Sequence, residues 1–133
     1  MHKESLIRTH FHFIGIGGIG MSAIAYALLK KGHSVSGSDL TTNQETNNLK
    51  KLGAIIFDSQ VSNNIDYLNS KFENQEINFV ISSAIKDDNE ELCYCKNNNF
   101  LIKHRSEILA MIMKSYTSIA IAGSHGKTST STF

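Results

Sequence analysis

Apolar positions along this chain alternate between two periods. A run from Phe11 to Ile16 ends in glycines, as a central parallel strand does when it delivers a turn at its carboxyl end. Met21, Ile24, Ala25, Leu28 and Leu29 then recur at the spacing of one helix face. Lys30, Lys31 and Gly32 close that helix with cations and a glycine where its dipole and C-cap favour them. A strand over Ser34–Ser38 leads into Asp39. Thr41 or Thr42 can cap the next helix, with Gln44 or Glu45 three residues on, and Leu49 and Leu52 form its apolar stripe before Gly53. Ala54–Phe57 reads as a third strand. From Asp58 to Gln75 the pattern weakens among Asn63, Asn64, Asn69 and Asn74, which predicts a short helix and loops. Ile77–Ser83 is a fourth strand, and Asp87 and Asp88 can cap a helix over Asn89–Lys96. A strand at Phe100–Lys103 precedes a helix over Ser106–Lys114 carrying Ile108, Leu109, Met111 and Ile112. After a linker at Lys114–Thr117, Ser118–Ala122 is expected as a further strand. Strands and helices take turns throughout, so the fold class is α/β, a doubly wound and mostly parallel sheet.

Composition narrows the function classes. With 41% hydrophobic and 19% charged residues, the chain can bury a core and does not resemble a disordered one. Thirteen Lys and Arg against twelve Asp and Glu leave a net charge of +1, with no concentrated basic window, so nucleic acid is not an expected partner. The longest apolar stretch, Ile19–Leu29, is too short for a bilayer and is broken by Gly20 and Ser22, so no membrane partner is expected. A leader peptide, with Lys3 and Arg8 before that stretch and Ala23-Ile24-Ala25 as a cleavage site, explains the segment less well than an amphipathic helix. Cys93 and Cys95 lie two apart in a helical segment, about 200° from each other around its axis, which suits neither a bridge nor chelation. Reduced structural thiols and a cytoplasmic location are expected.

Two glycine turns carry the chemistry. Gly15-Ile16-Gly17-Gly18-Ile19-Gly20 fits G-x-G-x-x-G between a strand and a helix, where a backbone without Cβ atoms can approach a diphosphate at the helix N-terminus. Asp39 ends the next strand, where a carboxylate can accept hydrogen bonds from ribose hydroxyls. This Rossmann-like unit does not distinguish NAD, FAD and a nucleotide sugar, each of which has a diphosphate and a ribose. The second turn, Gly123-Ser124-His125-Gly126-Lys127-Thr128, follows the expected last strand and runs into Ser129 and further hydroxyl residues. Its amides can form an anion nest, Lys127 can neutralise terminal phosphates, and Thr128 can offer its hydroxyl to Mg²⁺. It is shorter than G-x-x-x-x-G-K-[ST], since Ile121 stands where that pattern has its first glycine. A nucleotide-diphosphate site followed by an ATP site points to an ATP-driven reaction on a nucleotide-linked substrate. The competing reading, from the first turn and Asp39 alone, is a non-catalytic NAD-binding regulatory module.

The other polar residues read as structural. His2, His10 and His33 stand at a terminus or at strand entrances, where solvation or local bonding is expected; His12 and His104 have no derivable role. His125 lies inside a phosphate loop, where its amide matters at least as much as its ring. The acidic cluster of Asp87, Asp88, Glu90 and Glu91 with Lys86 reads as helix capping.

In order along the chain, His12–Ser22, Ser36-Gly37-Ser38-Asp39, Ser82-Ser83-Ala84-Ile85, His104–Leu109 and the Gly123–Thr128 loop closely resemble the Mur ligase family. Within it, His125 and the full first fingerprint are similar to the alanine-adding members. The murein-tripeptide recycling members share a similar ATP loop and depart at the first turn. The resemblance implies a unit over residues 1–114 that binds UDP-N-acetylmuramate, with Gly15, Gly17, Gly18, Ile19 and Gly20 at the diphosphate and Asp39, Ser82 and Ser83 lining the nucleotide pocket. Residues 115–133 would begin a central ATP-binding domain, in which Gly123 to Ser129 hold ATP, Lys127 is catalytic and Thr128 meets Mg²⁺. L-alanine would attack a muramate acyl phosphate. Two positions depart from the family pattern: Glu90 where proline is frequent, and Ser124 where threonine is frequent. The further metal-binding residues and the amino-acid-binding domain are absent from the 133 residues, which are expected to be inactive alone.

Overall fold

The computed structural model of the 133-residue chain describes residues 8–124. Five strands, β1 (Thr9–Ile14), β2 (Ser34–Ser38), β3 (Ile55–Phe57), β4 (Glu76–Ile81) and β5 (Ile102–His104), form one sheet in the order β3-β2-β1-β4-β5. Every pairing is parallel, as the expected doubly wound fold requires. Helices α1 (Met21–Lys30), α2 (Gln44–Lys51), α3 (Ser62–Lys71), α4 (Glu90–Asn97) and α5 (Arg105–Ser124) connect and flank the strands.

The side-chain alternation of a strand sorts β1 and β2 between two unlike faces. Phe11, Phe13 and Val35 face one way, into a core with Met21, Ile24, Ala25 and Leu28 of α1, Leu49 of α2, and Ile108 and Ile112 of α5. On the other face Ile65 and Leu68 of α3 and Cys95 of α4 pack with Phe79. There β1 and β2 contribute His10, His12, Ser36 and Ser38, all buried.

Several element boundaries differ from the sequence reading. Strand β1 stops at Ile14 because Gly15 takes φ +86°, a left-handed conformation that ends an extended run. The cap of α2 is Asn43, not Thr41 or Thr42: its side chain accepts from Thr46 N at 2.9 Å, and Thr46 Oγ1 accepts from Asn43 N at 2.9 Å. Thr41 is instead drawn to the Asp39 carboxylate. Asn89 caps α4 by accepting from Leu92 N at 3.1 Å, in place of Asp87 or Asp88. The weakly patterned stretch holds a full ten-residue helix, α3.

The largest difference lies at the end of α5. Ser118–Ala122, expected as a strand after a linker at Lys114–Thr117, is helical and continuous with α5. A strand needs a neighbour to satisfy its N–H and C=O groups, and no strand among the described residues pairs with this segment. A helix satisfies those groups within the segment.

Candidate functional site

Chain order reverses between β1 and β4: β2 and β3 extend the sheet on one side of β1, and β4 and β5 extend it on the other. At such a switch point the loops leaving two neighbouring strands part and open a crevice at their carboxyl ends. The Gly15–Gly20 turn leaves β1 there and the Ser82–Ile85 segment leaves β4, with Asp39 after β2 and Arg105 after β5 on either side.

Most amides of the glycine turn are committed to building it. Gly15 N and Ile16 N donate to Ser38 O at 2.8 and 3.0 Å, Gly17 N to Asp39 Oδ2 at 2.8 Å, and Gly18 N to Gly15 O at 3.0 Å. The amides of Ile19 and Gly20 have no partner among the described residues. They directly precede the ten residues of α1, where the helix dipole adds positive potential. Gly20 enters the helix at φ +85°, a backbone state that a side chain would strain. Ile19 is fully exposed beside it.

Arg105 completes this surface. A Cβ placed on Gly20 would lie 3.7 Å from Arg105 Nη1, so the guanidinium rests against the turn. No carboxylate among the described residues pairs with it. Among the described residues the Ile19 and Gly20 amides and the Arg105 guanidinium have no partner, a set of donors whose chemistry suits an anion. The position of Arg105 is set by His104, whose Nδ1 accepts from Ser106 N at 3.2 Å, and by Glu107, whose Oε2 accepts from His104 N at 3.0 Å. Together they cap α5. The His104 ring also reaches Ser83 Oγ through Nε2 at 3.3 Å, tying the β5 end to the β4 loop. Ser82 Oγ accepts from Ala84 N at 3.3 Å and shapes that loop.

Asp39 is part of the scaffold of the turn. One carboxylate oxygen accepts from Gly17 N and the other from Thr41 N at 3.2 Å, while Asn43 Nδ2 donates to Gly17 O at 3.3 Å. Gly15, Gly17, Gly18, Ile19, Gly20, Asp39, Ser82 and Ser83 thus gather at one end of the sheet. Gly123 and Ser124 end helix α5, and His125, Gly126, Lys127, Thr128 and Ser129 lie outside the described residues. Sequence reasoning assigned no role to Arg105, although its place just after a strand, at the first turn of a helix, was a usable signal.

A second polar set holds His10, expected to be solvated or locally bonded, His12, which had no derivable role, and Glu91, expected as a cap. His10, His12 and Glu91 are completely buried. His10 bonds Ser34 and Ser36 at 2.8 Å through its two ring nitrogens, and its ring stacks on Phe72. His12 bonds Ser36 Oγ at 2.8 Å and Glu91 Oε1 at 2.8 Å. Among the described residues no buried side-chain nitrogen or oxygen is left without a partner. Burial, then the neighbouring His12, pushes His10 down to about 3, so it is neutral near pH 7. Burial, then Glu91, pushes the Cys95 thiol up to about 12, which leaves it an inert packing group. The signal was available: His10 and His12, like Ser34, Ser36 and Ser38, sit two apart on adjacent strands and so must share a face.

Among the described residues no His, Cys, Asp and Glu cluster suits a metal ion, and no helix is long and apolar enough to cross a membrane.

Residues 10–117 match the family model described as Mur ligase family, catalytic domain. A UDP-N-acetylmuramate--L-alanine ligase of Prochlorococcus marinus subsp. pastoris is 73% identical over 133 residues, which is 100% of this chain and 28% of that protein. The enzyme of the same name from Thermosynechococcus vestitus is 50% identical over 122 residues, covering 91% of this chain and 25% of its own length. The chain therefore spans roughly a quarter of the curated relatives it matches. Among solved structures, the UDP-N-acetylmuramate-alanine ligase of Thermotoga maritima superposes with a TM-score of 0.67 at 30% identity, over 80% of this chain and 23% of that one. A UDP-N-acetylmuramate:L-alanyl-gamma-D-glutamyl-meso-diaminopimelate ligase from Neisseria superposes with a TM-score of 0.68 at 23% identity, over 78% of this chain and 31% of that one, a likeness of fold alone.

Proposed function

We propose, because this chain belongs to the Mur ligase family, that its glycine turn is the diphosphate seat of a UDP-N-acetylmuramate-binding domain in an ATP-dependent L-alanine ligase. The observation that carries the reading is the pair of Ile19 and Gly20 amides without a partner among the described residues, with the Arg105 guanidinium resting against Gly20 at the switch point of the sheet. A diphosphate bridges such a site with charge-assisted hydrogen bonds, each worth about 1.5–3 kcal/mol when well formed. Asp39 after β2 and the Ser82-Ser83 pair after β4 stand on either side of it and would line the nucleotide pocket. The alanine-adding assignment, rather than the recycling one, is supported by relatives up to 73% identical that carry the first name.

In this reading residues 1–114 hold the UDP substrate and residues 115–133 open the ATP-binding domain. ATP would be held by Gly123 to Ser129, with Lys127 against the transferred phosphate and Thr128 toward Mg²⁺. The enzyme would form a muramate acyl phosphate and pass the acyl group to the amine of L-alanine, in the cytoplasm. The NAD-binding alternative loses support because the family model and relatives up to 73% identical carry ligase names.

Calorimetric titration decides between them. The chain is expected to bind UDP-N-acetylmuramate and not NADH, and Arg105→Ala is expected to weaken that binding about tenfold or more. Preference for NADH, or an Arg105→Ala variant with unchanged affinity, overturns the reading.

A further inference from the structure

Glu91 of α4 lies deep beneath the anion turn and outside it. Its carboxylate has three hydrogen-bond partners: Ser38 Oγ donates to Oε1 at 2.9 Å, Asn64 Nδ2 donates to Oε2 at 2.6 Å, and His12 Nε2 lies 2.8 Å from Oε1. A fully buried carboxylate is held by hydrogen bonds and a counter-charge. Around it stand His12 of β1, in contact with it, and Cys95 of its own helix, whose thiol feels its charge, with the neutral Ser38 and Asn64 bonded to it. His12 is the group in contact with Glu91 that can carry a positive charge. Charged, it donates from Nε2 to Glu91 and from Nδ1 to Ser36 Oγ. Ser36 then donates its hydroxyl proton to His10 Nε2, and His10 donates from Nδ1 to Ser34 Oγ. Every atom in this chain has one consistent role.

The link to the site is Ser38. Its hydroxyl donates to Glu91, while its carbonyl accepts the Gly15 and Ile16 amides that start the turn. The same carboxylate bonds β1 through His12, the strand that delivers the turn. An apolar pair of the same size would hold the sheet together equally well, since buried ion pairs stabilise little in net terms. It would not define where Ser38 presents its carbonyl.

We propose that Glu91 is a positioning residue which, paired with an imidazolium at His12, fixes the end of β2 so that the Gly15–Gly20 turn stands preformed for its diphosphate ligand. This rests on the reading of that turn given above.

The test combines NMR of the 133-residue chain with titration of UDP-N-acetylmuramate. In the unsubstituted chain both His12 ring nitrogens should resonate as protonated. In Glu91→Gln, His12 Nδ1 should move to the position of a nitrogen with a free lone pair, the Gly15 and Ile16 amide resonances should shift, and affinity should fall about tenfold. Ser38→Ala should leave His12 doubly protonated yet produce the same amide shifts and the same loss of affinity, and it carries the test alone if Glu91→Gln does not fold. An unprotonated His12 nitrogen in the unsubstituted chain, or turn amides that stay in place in the folded variants, overturns the proposal whether or not ligand binds. Failure of the unsubstituted chain to bind, with the amide shifts as expected, overturns the diphosphate reading instead.

Discussion

A histidine in a parallel strand obeys the same alternation as its phenylalanine neighbours, and that decides its chemistry. Phe11 and Phe13 point into the larger apolar core, so His10 and His12 point to the opposite face, where α3 and α4 bury them. Burial rather than solvation then governs His10. In the unfolded chain it takes up a proton near pH 6.5; folded, it does so only near pH 3. Between those values the folded state binds fewer protons than the unfolded state, so His10 makes stability fall as pH drops from 6.5 toward 3. The midpoint of urea unfolding should decline over that range, and His10→Gln should flatten the decline. Glu91 makes the same point about legibility. In an acidic run at a helix start it reads as a cap, and only the packing of α4 on the sheet turns it inward to Ser38 and His12.

Elements were easier to read than their ends. The five strands, and helices α1, α2, α4 and the start of α5, stand close to where the apolar periods put them, because those periods reflect which faces must be buried. The caps were misread because several hydroxyl and acidic residues compete within one turn, and geometry selects one: Asn43 over Thr41 and Thr42, Asn89 over Asp87 and Asp88. Asn43→Ala removes both the α2 cap and the bond to Gly17 O, and should cost about 1 kcal/mol or more in urea unfolding. Gly37 in β2 is a sharper case. A Cβ there would fall 2.5 Å from Ile16 Cβ and 2.8 Å from Ile16 Cγ2, and Ile16 is part of the glycine turn. Because Ile16 Cβ cannot rotate away, Gly37→Ala should cost about 1–3 kcal/mol in unfolding free energy. It should also displace the turn, read as weaker UDP-N-acetylmuramate binding in the same preparation. The helical ending of α5 shows the opposite limit: an apolar run without a neighbouring strand keeps its backbone bonds local, whatever its sequence would do within a sheet.

At the scale of the whole molecule, the sheet order gathers the candidate site. Strand β1 alone supplies a glycine turn, but Asp39, Ser82, Ser83 and Arg105 join it at one end of the sheet because β2 and β4 flank β1 on opposite sides. The chain spans about a quarter of its relatives' length, so a complete set of groups for phosphoryl and acyl transfer is not expected within it. Incubated with ATP, Mg²⁺, UDP-N-acetylmuramate and L-alanine, the 133 residues should release no phosphate above background in a colorimetric assay. What the residue order decided unaided was local: the alternation of strand and helix, the parallel sheet it entails, and the glycine turn between β1 and α1, all of which depend on neighbours within a few residues. Packing between distant segments decided the rest. The Arg105 guanidinium over Gly20 and the Glu91 carboxylate under Ser38 each join residues more than fifty positions apart, and no local period records which distant side chain will fill a given space or neutralise a given charge.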